Sequence, residues 1–157
     1  MENFKQTNLD DNILKAIAEM GFEVPTSVQA KTIPHLLNSD TDLIATAQTG
    51  TGKTAAFGLP SIHLTDLKNR DTSTLVLCPT RELCIQIAKD LTKYSKYIDG
   101  LNILAVYGGS DIRGQIKALN KGVHIVIGTP GRTKDLIKRN KLKIGSIARI
   151  VLDEADE

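Results

Sequence analysis

The sequence is poor in the features that mark a stapled, secreted or membrane-bound chain. It has two cysteines, Cys78 and Cys84, and three scattered histidines, His35, His63 and His124, in 157 residues. Their spacing matches no zinc-ligand pattern. A chain of this length buries roughly 68–70% of its unfolded surface on folding, so neither a disulfide framework nor a structural metal is required. The cysteines are therefore expected to be small buried apolar residues in a reduced setting. No apolar run approaches the about 18 residues that cross a bilayer. The N-terminus MENFKQTNLDD has neither the basic end nor the apolar stretch of a signal peptide. Membrane insertion and secretion are not expected, and a cytoplasmic location is. Internal repeats, low-complexity tracts and dividing linkers are absent. Charge of one sign is scarce as well: 20 Lys+Arg against 18 Asp+Glu leaves a formal +2, so any basic footprint for nucleic acid must be local.

What remains, 41% hydrophobic and 24% charged, is the composition of one ordinary core. Leu9, Ile13, Ile17 and Met20 recur at helical spacing, with Asp10 or Asp11 as the cap and Gly21 just past the end. Pro25-Thr26-Ser27-Val28-Gln29 opens a second helix, which Pro34 is expected to kink or shorten. Beyond the polar loop Asn38-Ser39-Asp40 the pattern changes. Short apolar runs at Leu43-Ile44-Ala45, Leu75-Val76-Leu77, Ile103-Leu104-Ala105-Val106, Val123-His124-Ile125-Val126-Ile127 and Ile150-Val151-Leu152 alternate with helical segments near 53–66, 81–97, 111–121 and 131–139. Five buried strands alternating with helices predict an α/β fold with a mainly parallel sheet and helices on both faces. The basic stretch from Lys134 to Lys143 reads as a solvated helix face.

Two segments carry chemistry. Ala47-Gln48-Thr49-Gly50-Thr51-Gly52-Lys53-Thr54 lies between the first apolar run and a helix. Glycines at 50 and 52 let successive amides turn toward an anion, and the following helix adds its positive N-terminal end. Lys53 is placed to reach nucleotide β/γ-phosphates, and the Thr54 hydroxyl to bind Mg²⁺. The strict consensus has glycine where Ala47 stands. The alternative, a glycine-rich turn with a chance lysine, is weakened by the second segment. Asp153-Glu154-Ala155-Asp156 follows the last apolar run directly, and carboxylates at the mouth of a buried strand need a cation or a reacting water. Asp153 is assigned to the metal and Glu154 to the attacking water, with Lys53, Asp153 and Glu154 as the catalytic set.

These residues resemble the first RecA-like domain of a DEAD-box ATP-dependent RNA helicase. Phe4, then Gly21-Phe22-Glu23-Val24-Pro25-Thr26-Ser27-Val28-Gln29, is similar to the adenine-reading Q motif. Pro79-Thr80-Arg81-Glu82-Leu83, Gly108-Gly109 and Thr129-Pro130-Gly131-Arg132 are similar to the segments that grip the RNA backbone. The resemblance implies an ATP site formed by Phe4, Phe22, Pro25, Thr26, Gln29, Gln48, Thr49, Gly50, Thr51, Gly52, Lys53 and Thr54. It implies an Mg²⁺ site at Thr54 and Asp153, and RNA contacts at Pro79, Thr80, Arg81, Gly108, Gly109, Thr129, Pro130, Gly131 and Arg132.

Each motif also has a physical basis. A glutamine amide presents one donor group and one acceptor, so Gln29 can bond bidentately to adenine N6 and N7 and reject guanine. Phe4 either stacks on the base or staples the first helix, and Phe22 is core or site wall. Thr80-Arg81 and Thr129-Arg132 each bring a helix N-terminus, a hydroxyl and a guanidinium to one sheet edge, which holds a nucleic-acid backbone without reading its sequence. Position 133 is Thr where the family often has a bulkier apolar residue, a packing difference without functional consequence.

In domain terms, 1–40 is a Q-motif region and 41–157 a P-loop ATPase core, together the N-terminal part of RecA-like domain 1. The family continues with a Ser-Ala-Thr motif and a second RecA-like domain, so the chain reads as a truncated piece whose central sheet slot, between the phosphate-loop strand and the strand ending at Leu152, is empty. Coupling of ATP hydrolysis to RNA duplex unwinding or remodelling is the function expected of the parent, with the fragment alone not an active helicase. A non-catalytic nucleotide- or RNA-binding module and a general P-loop ATPase stay open as alternatives.

Overall fold

The computed structural model describes residues 1–157. It divides into two compact units, one of residues 1–64 and 90–99 and the other of residues 65–89 and 100–157. No helix is long and apolar enough to cross a membrane.

The first unit is helical. After a 3₁₀ turn at Phe4–Thr7 come α1 (Asp11–Glu19), α2 (Ser27–Asn38) and α3 (Lys53–His63), joined by the last turn of α4 (Arg81–Tyr94). The Asp10 side chain caps α1 by accepting from the Asn12 amide at 2.8 Å. Ile13, Ala16 and Ile17 then bury one stripe. In α2 the Thr26 and Gln29 side chains satisfy each other's backbone amides as a capping box.

Pro34 does not shorten α2, which runs four residues beyond it, and α3 likewise passes through Pro60. A proline inside a helix forfeits one amide bond. Here α2 packs along α3 with Ile33 and Leu59 fully buried, and tertiary burial of this kind outweighs a single missing bond.

The second unit is a four-stranded parallel sheet, not five-stranded. Its strands are β1 (Thr74–Leu77), β2 (Ile103–Val106), β3 (Ile125–Gly128) and β4 (Arg149–Leu152), in the order β2-β3-β1-β4. The connections are α4, α5 (Ile112–Lys121) and α6 (Pro130–Lys138). Thr74, Leu75 and Val76 of β1 and all of β3 are buried, so both faces of the two central strands are covered, as parallel pairing requires. On one face Leu75, Val106, Val126 and Leu136 form a core with Ile112, Ile116 and Leu119 of α5 packed against it.

The expected strand at Leu43-Ile44-Ala45 is absent. Residues 42–48 carry no sheet pairing, and Ile44 is 94% exposed. Apolar β-branched composition supplies strand propensity, but a strand exists only where a neighbour takes its hydrogen bonds, and none pairs with this segment. At the edge of the sheet, β4 pairs with β1 alone and leaves Ile150 and Leu152 exposed, which corrects the expectation of a fully buried strand there.

Thr133 of α6 packs where β3 ends. A Cβ at Gly128 would lie 2.1 Å from Thr133 Oγ1, so only glycine lets the helix approach. Thr133 Oγ1 is buried with no hydrogen-bond partner. Replacing it by a methyl of the same shape removes an orphaned hydroxyl. Thr133→Val is expected to stabilise the domain by about 1 kcal/mol, read as a melting temperature a few degrees higher; an unchanged or lower value would show that the hydroxyl finds a partner in solution.

Candidate functional site

The first unit presents a loop between an unpaired segment and a helix. Gly50 and Gly52 take left-handed backbone conformations, φ +81° and +84°, which reverse the chain sharply ahead of α3. The Thr51 hydroxyl donates to the Gln48 carbonyl at 2.5 Å and locks the turn. Gly52 is the N-cap and offers α3 no side-chain acceptor, while half-buried Lys53 and Thr54 form the first turn. A helix start with no side-chain cap, carrying a cation and a hydroxyl, suits an anion with a bound hard metal ion, so the residues present fit a nucleotide phosphate and Mg²⁺.

Gln29 is 3% exposed and already engaged. Its Oε1 accepts from the Thr26 amide at 3.0 Å and its Nε2 donates to the Gly52 carbonyl at 3.1 Å. A Cβ on Gly52 would lie 2.3 Å from that nitrogen, so the loop and α2 meet only because position 52 is glycine. Each end of the amide keeps one more bonding position, an N–H and a lone pair, which is the pair a bidentate contact uses. Phe4 is buried against Phe22, with ring centroids 6.0 Å apart, and Phe22 meets Tyr94 edge-on at 6.0 Å. The structure thus packs Phe4 on Phe22 and Phe22 on Tyr94. Phe4 and Phe22 border a cavity with Asn3, Leu14, Ile17 and Glu23. Pro25 is buried, and Gln48 and Thr49 are exposed in the loop.

In the second unit the parallel strands bring four loops to the carboxyl edge of the sheet. After β1, Thr80 caps α4, its hydroxyl accepting from the Leu83 amide at 3.2 Å, with Pro79, Thr80 and Arg81 exposed. After β2, Gly108 and Gly109 are exposed, and Gly109 has φ +78°. The Arg81 guanidinium lies 5.0 Å from the centre of the Tyr107 ring. After β3, Thr129, Pro130 and Gly131 open α6 with no side-chain cap, and half-buried Arg132 donates to the Ser110 carbonyl at 3.1 Å and to Gln115 Oε1 at 2.9 Å. The three segments at Pro79–Arg81, Gly108-Gly109 and Thr129–Arg132 therefore share one edge.

The fourth loop, after β4, is acidic. The Asp153 amide extends the ladder by donating to the Leu77 carbonyl at 2.9 Å. Its Oδ1 accepts from the Glu154 amide at 3.1 Å, and Glu154 sits at φ +54°. A left-handed glutamate costs of order 1–3 kcal/mol and concentrates at working sites.

Cys78 and Cys84 are free and buried, as expected. Their sulfurs are 2.6 Å apart, and this contact lowers the pKa of Cys78, while the same contact and burial raise that of Cys84. No cluster of three or more histidine, cysteine or acidic side chains is disposed to hold a metal. Tyr107, Ser110 and Gln115 were not singled out from the sequence. The signal for Gln115 was present: it falls among Ile112, Ile116 and Leu119, a polar residue on the apolar stripe of α5.

Residues 26–157 match the family model described as DEAD/DEAH box helicase. The whole chain is 52% identical to the ATP-dependent RNA helicase CshA of Listeria monocytogenes and covers 30% of that protein. It is 46% identical over 154 residues to the ATP-dependent RNA helicase DeaD of Klebsiella pneumoniae, covering 24% of it. The chain thus spans under a third of the length of these curated relatives. Among solved structures, a DEAD box protein from the hyperthermophile Methanococcus jannaschii superposes with a TM-score of 0.93 at 47% identity, over 98% of this chain and 42% of that one. A Saccharomyces cerevisiae Dbp5 variant bound to RNA and ADP BeF3 gives 0.90 at 31% identity, over 99% and 39%. On this match and this α/β fold, the chain belongs to the DEAD/DEAH box helicase family.

Proposed function

We propose that this chain is the ATP- and RNA-binding N-terminal part of an RNA helicase that couples ATP hydrolysis to local opening of RNA duplexes. The observation that carries the reading is the loop at Gln48–Lys53, where two left-handed glycines deliver an uncapped helix start bearing Lys53 and Thr54. Lys53 binds the phosphates, aided by the backbone of Thr49, Gly50, Thr51 and Gly52. Thr54 with its hydroxyl and Asp153 through water would hold Mg²⁺, which when bound would neutralise phosphate charge. Glu154 orients the attacking water and takes its proton. Gln29 reads adenine with its remaining N–H and lone pair, Thr26 and Pro25 set its position, and Phe4 and Phe22 line the wall. RNA backbone is held by Thr80, Arg81, Gly108, Gly109, Thr129, Gly131 and Arg132, with Pro79 and Pro130 shaping the turns. The relatives' names and the RNA and nucleotide in the Dbp5 complex support this assignment.

Turnover in the full-length protein that rises with RNA and not with DNA is the expected result. ATP hydrolysis indifferent to RNA would favour a general P-loop ATPase, and none at all a binding module. A finer test concerns the base. Gln29→Ala is expected to erase a preference for ADP over GDP worth about tenfold, since an unpaired site amide costs about 1–3 kcal/mol. Equal ADP and GDP binding by the unmodified protein, measured calorimetrically, would remove adenine reading from Gln29.

Arg81 is assigned to a phosphate and not to a base. Arg81→Ala is expected to weaken all RNA sequences alike and to lower the salt slope of single-strand binding by about 0.7. A sequence-selective loss with an unchanged slope would contradict the backbone contact.

A further inference from the structure

We propose that Gln115 is the positioning residue of the RNA-gripping edge: it orients the Arg132 guanidinium and, with it, clamps the loop Tyr107–Ser110. The proposal rests on the RNA-backbone assignment above. Gln115 is 6% exposed on the core side of α5, and a buried amide is costly unless bonded. It is bonded at both ends. Nε2 donates to the Tyr107 carbonyl at 3.3 Å, and Oε1 accepts from Arg132 Nη1 at 2.9 Å. A carbonyl only accepts and a guanidinium only donates, so these partners fix which way the amide points.

Arg132 Nη2 meanwhile donates to the Ser110 carbonyl at 3.1 Å. Gly108 and Gly109 are thereby held between two anchored carbonyls, one reached through Gln115 and one directly. Such freedom as a glycine pair brings to a loop is removed by these bonds, and Gly109 keeps its left-handed turn at the exposed tip. On the other side of the loop, the Tyr107 ring lies beneath Arg81. The two cations assigned to RNA phosphates thus flank one loop, and Gln115 joins that loop to one of them.

The chemistry explains why an amide stands here. A glutamate would accept from Arg132 more strongly, but it would cancel the charge that a phosphate needs and could not donate to Tyr107. A neutral acceptor orients the guanidinium without neutralising it, and two bonds of its five N–H groups leave donors for a ligand. Preorganisation of this kind raises affinity by removing the ordering cost at binding.

The test uses the full-length protein with a fluorescein-labelled polyuridine oligonucleotide, ADP and beryllium fluoride. Gln115→Met, of similar shape and lacking both bonds, is expected to weaken RNA binding about tenfold while leaving the salt slope and ADP affinity unchanged, because position is lost and charge is not. Gln115→Glu is expected to weaken RNA binding and also to lower the slope by about 0.7, as removal of Arg132 itself would. In an Arg132→Ala background the Gln115→Met loss should largely vanish, since the two act as one unit. A Gln115→Met protein that binds RNA normally would overturn the proposal. So would losses that add fully to those of Arg132→Ala, or equal losses for RNA and ADP. If Gln115→Met fails to fold, the slope of Gln115→Glu decides, and an unchanged slope overturns it. Should Arg81→Ala and Arg132→Ala both leave RNA affinity intact, the RNA-backbone assignment itself falls.

Discussion

Lys53→Ala is expected to raise the Kd for MgATP by about 10- to 100-fold in the full-length protein, with the fold intact. The argument is electrostatic. The side chain leaves the first turn of α3, directly after the left-handed Gly52, so under the proposed role its ammonium and the helix N-terminus would act on the same anion. A charge-assisted hydrogen bond to a phosphate is worth roughly 1.5–3 kcal/mol, and each 1.4 kcal/mol is a factor of ten. Lys53 is half-buried in the helix that carries Ala55, Ala56 and Leu59 into the core, yet its own alanine substitution leaves those contacts in place. Loss of binding should therefore appear without loss of melting temperature. Titration of a fluorescent ATP analogue checks this, and equal affinity in the two proteins would displace the loop from the phosphates. Charge reversal should go further: Lys53→Glu is expected to bind less well than Lys53→Ala, because a carboxylate repels the triphosphate.

Much of this was legible in residue order, and the exceptions share a cause. Helix ends are local, so Asp10 or Asp11, Gly21 and the run Pro25–Gln29 marked them from their neighbours alone, and the structure caps α1 with Asp10 and starts α2 after Thr26. The glycine-rich loop is local too, since Gly50, Gly52 and Lys53 lie within four residues. What failed depended on partners distant in the chain. Leu43-Ile44-Ala45 has strand composition but no pairing neighbour, and pairing is not a property of three residues. Pro34 breaks a helix in isolation but sits inside a packed helix here, where burial decides. Gln29 was read for its chemistry toward a base, while Thr26-x-x-Gln29 also spelled a capping box, and only the three-dimensional approach of Gly52 links the two roles. Arg132 was read as a bare cation. Its partners Ser110 and Gln115 stand 22 and 17 residues earlier and meet it only because parallel strands return their loops to one edge.

Glu154→Gln is expected to cut ATP turnover by about 10²- to 10⁴-fold while ATP and RNA are still bound, the range a positioned general base supplies. The substitution keeps the length, the planar end and the backbone geometry, and removes only the ability to accept a proton. Binding is expected to survive because, in the proposed role, Glu154 acts on the water and not on the ground-state nucleotide. The backbone supports this separation. Glu154 is held at φ +54°, its amide tied to Asp153 Oδ1 and Asp153 in turn tied to Leu77 of β1, so the ladder of the sheet sets the acidic turn. If the left-handed Glu154 serves the proposed role, opposite effects on stability and on turnover are expected. Glu154→Asn, whose short side chain tolerates the left-handed region better, is expected to leave stability equal or up to about 1 kcal/mol higher while turnover collapses. Single-turnover hydrolysis alongside thermal unfolding measures both. Hydrolysis at the parent rate in Glu154→Gln would place the base elsewhere, and a clear loss of stability in Glu154→Asn would show that the glutamate side chain holds the turn together.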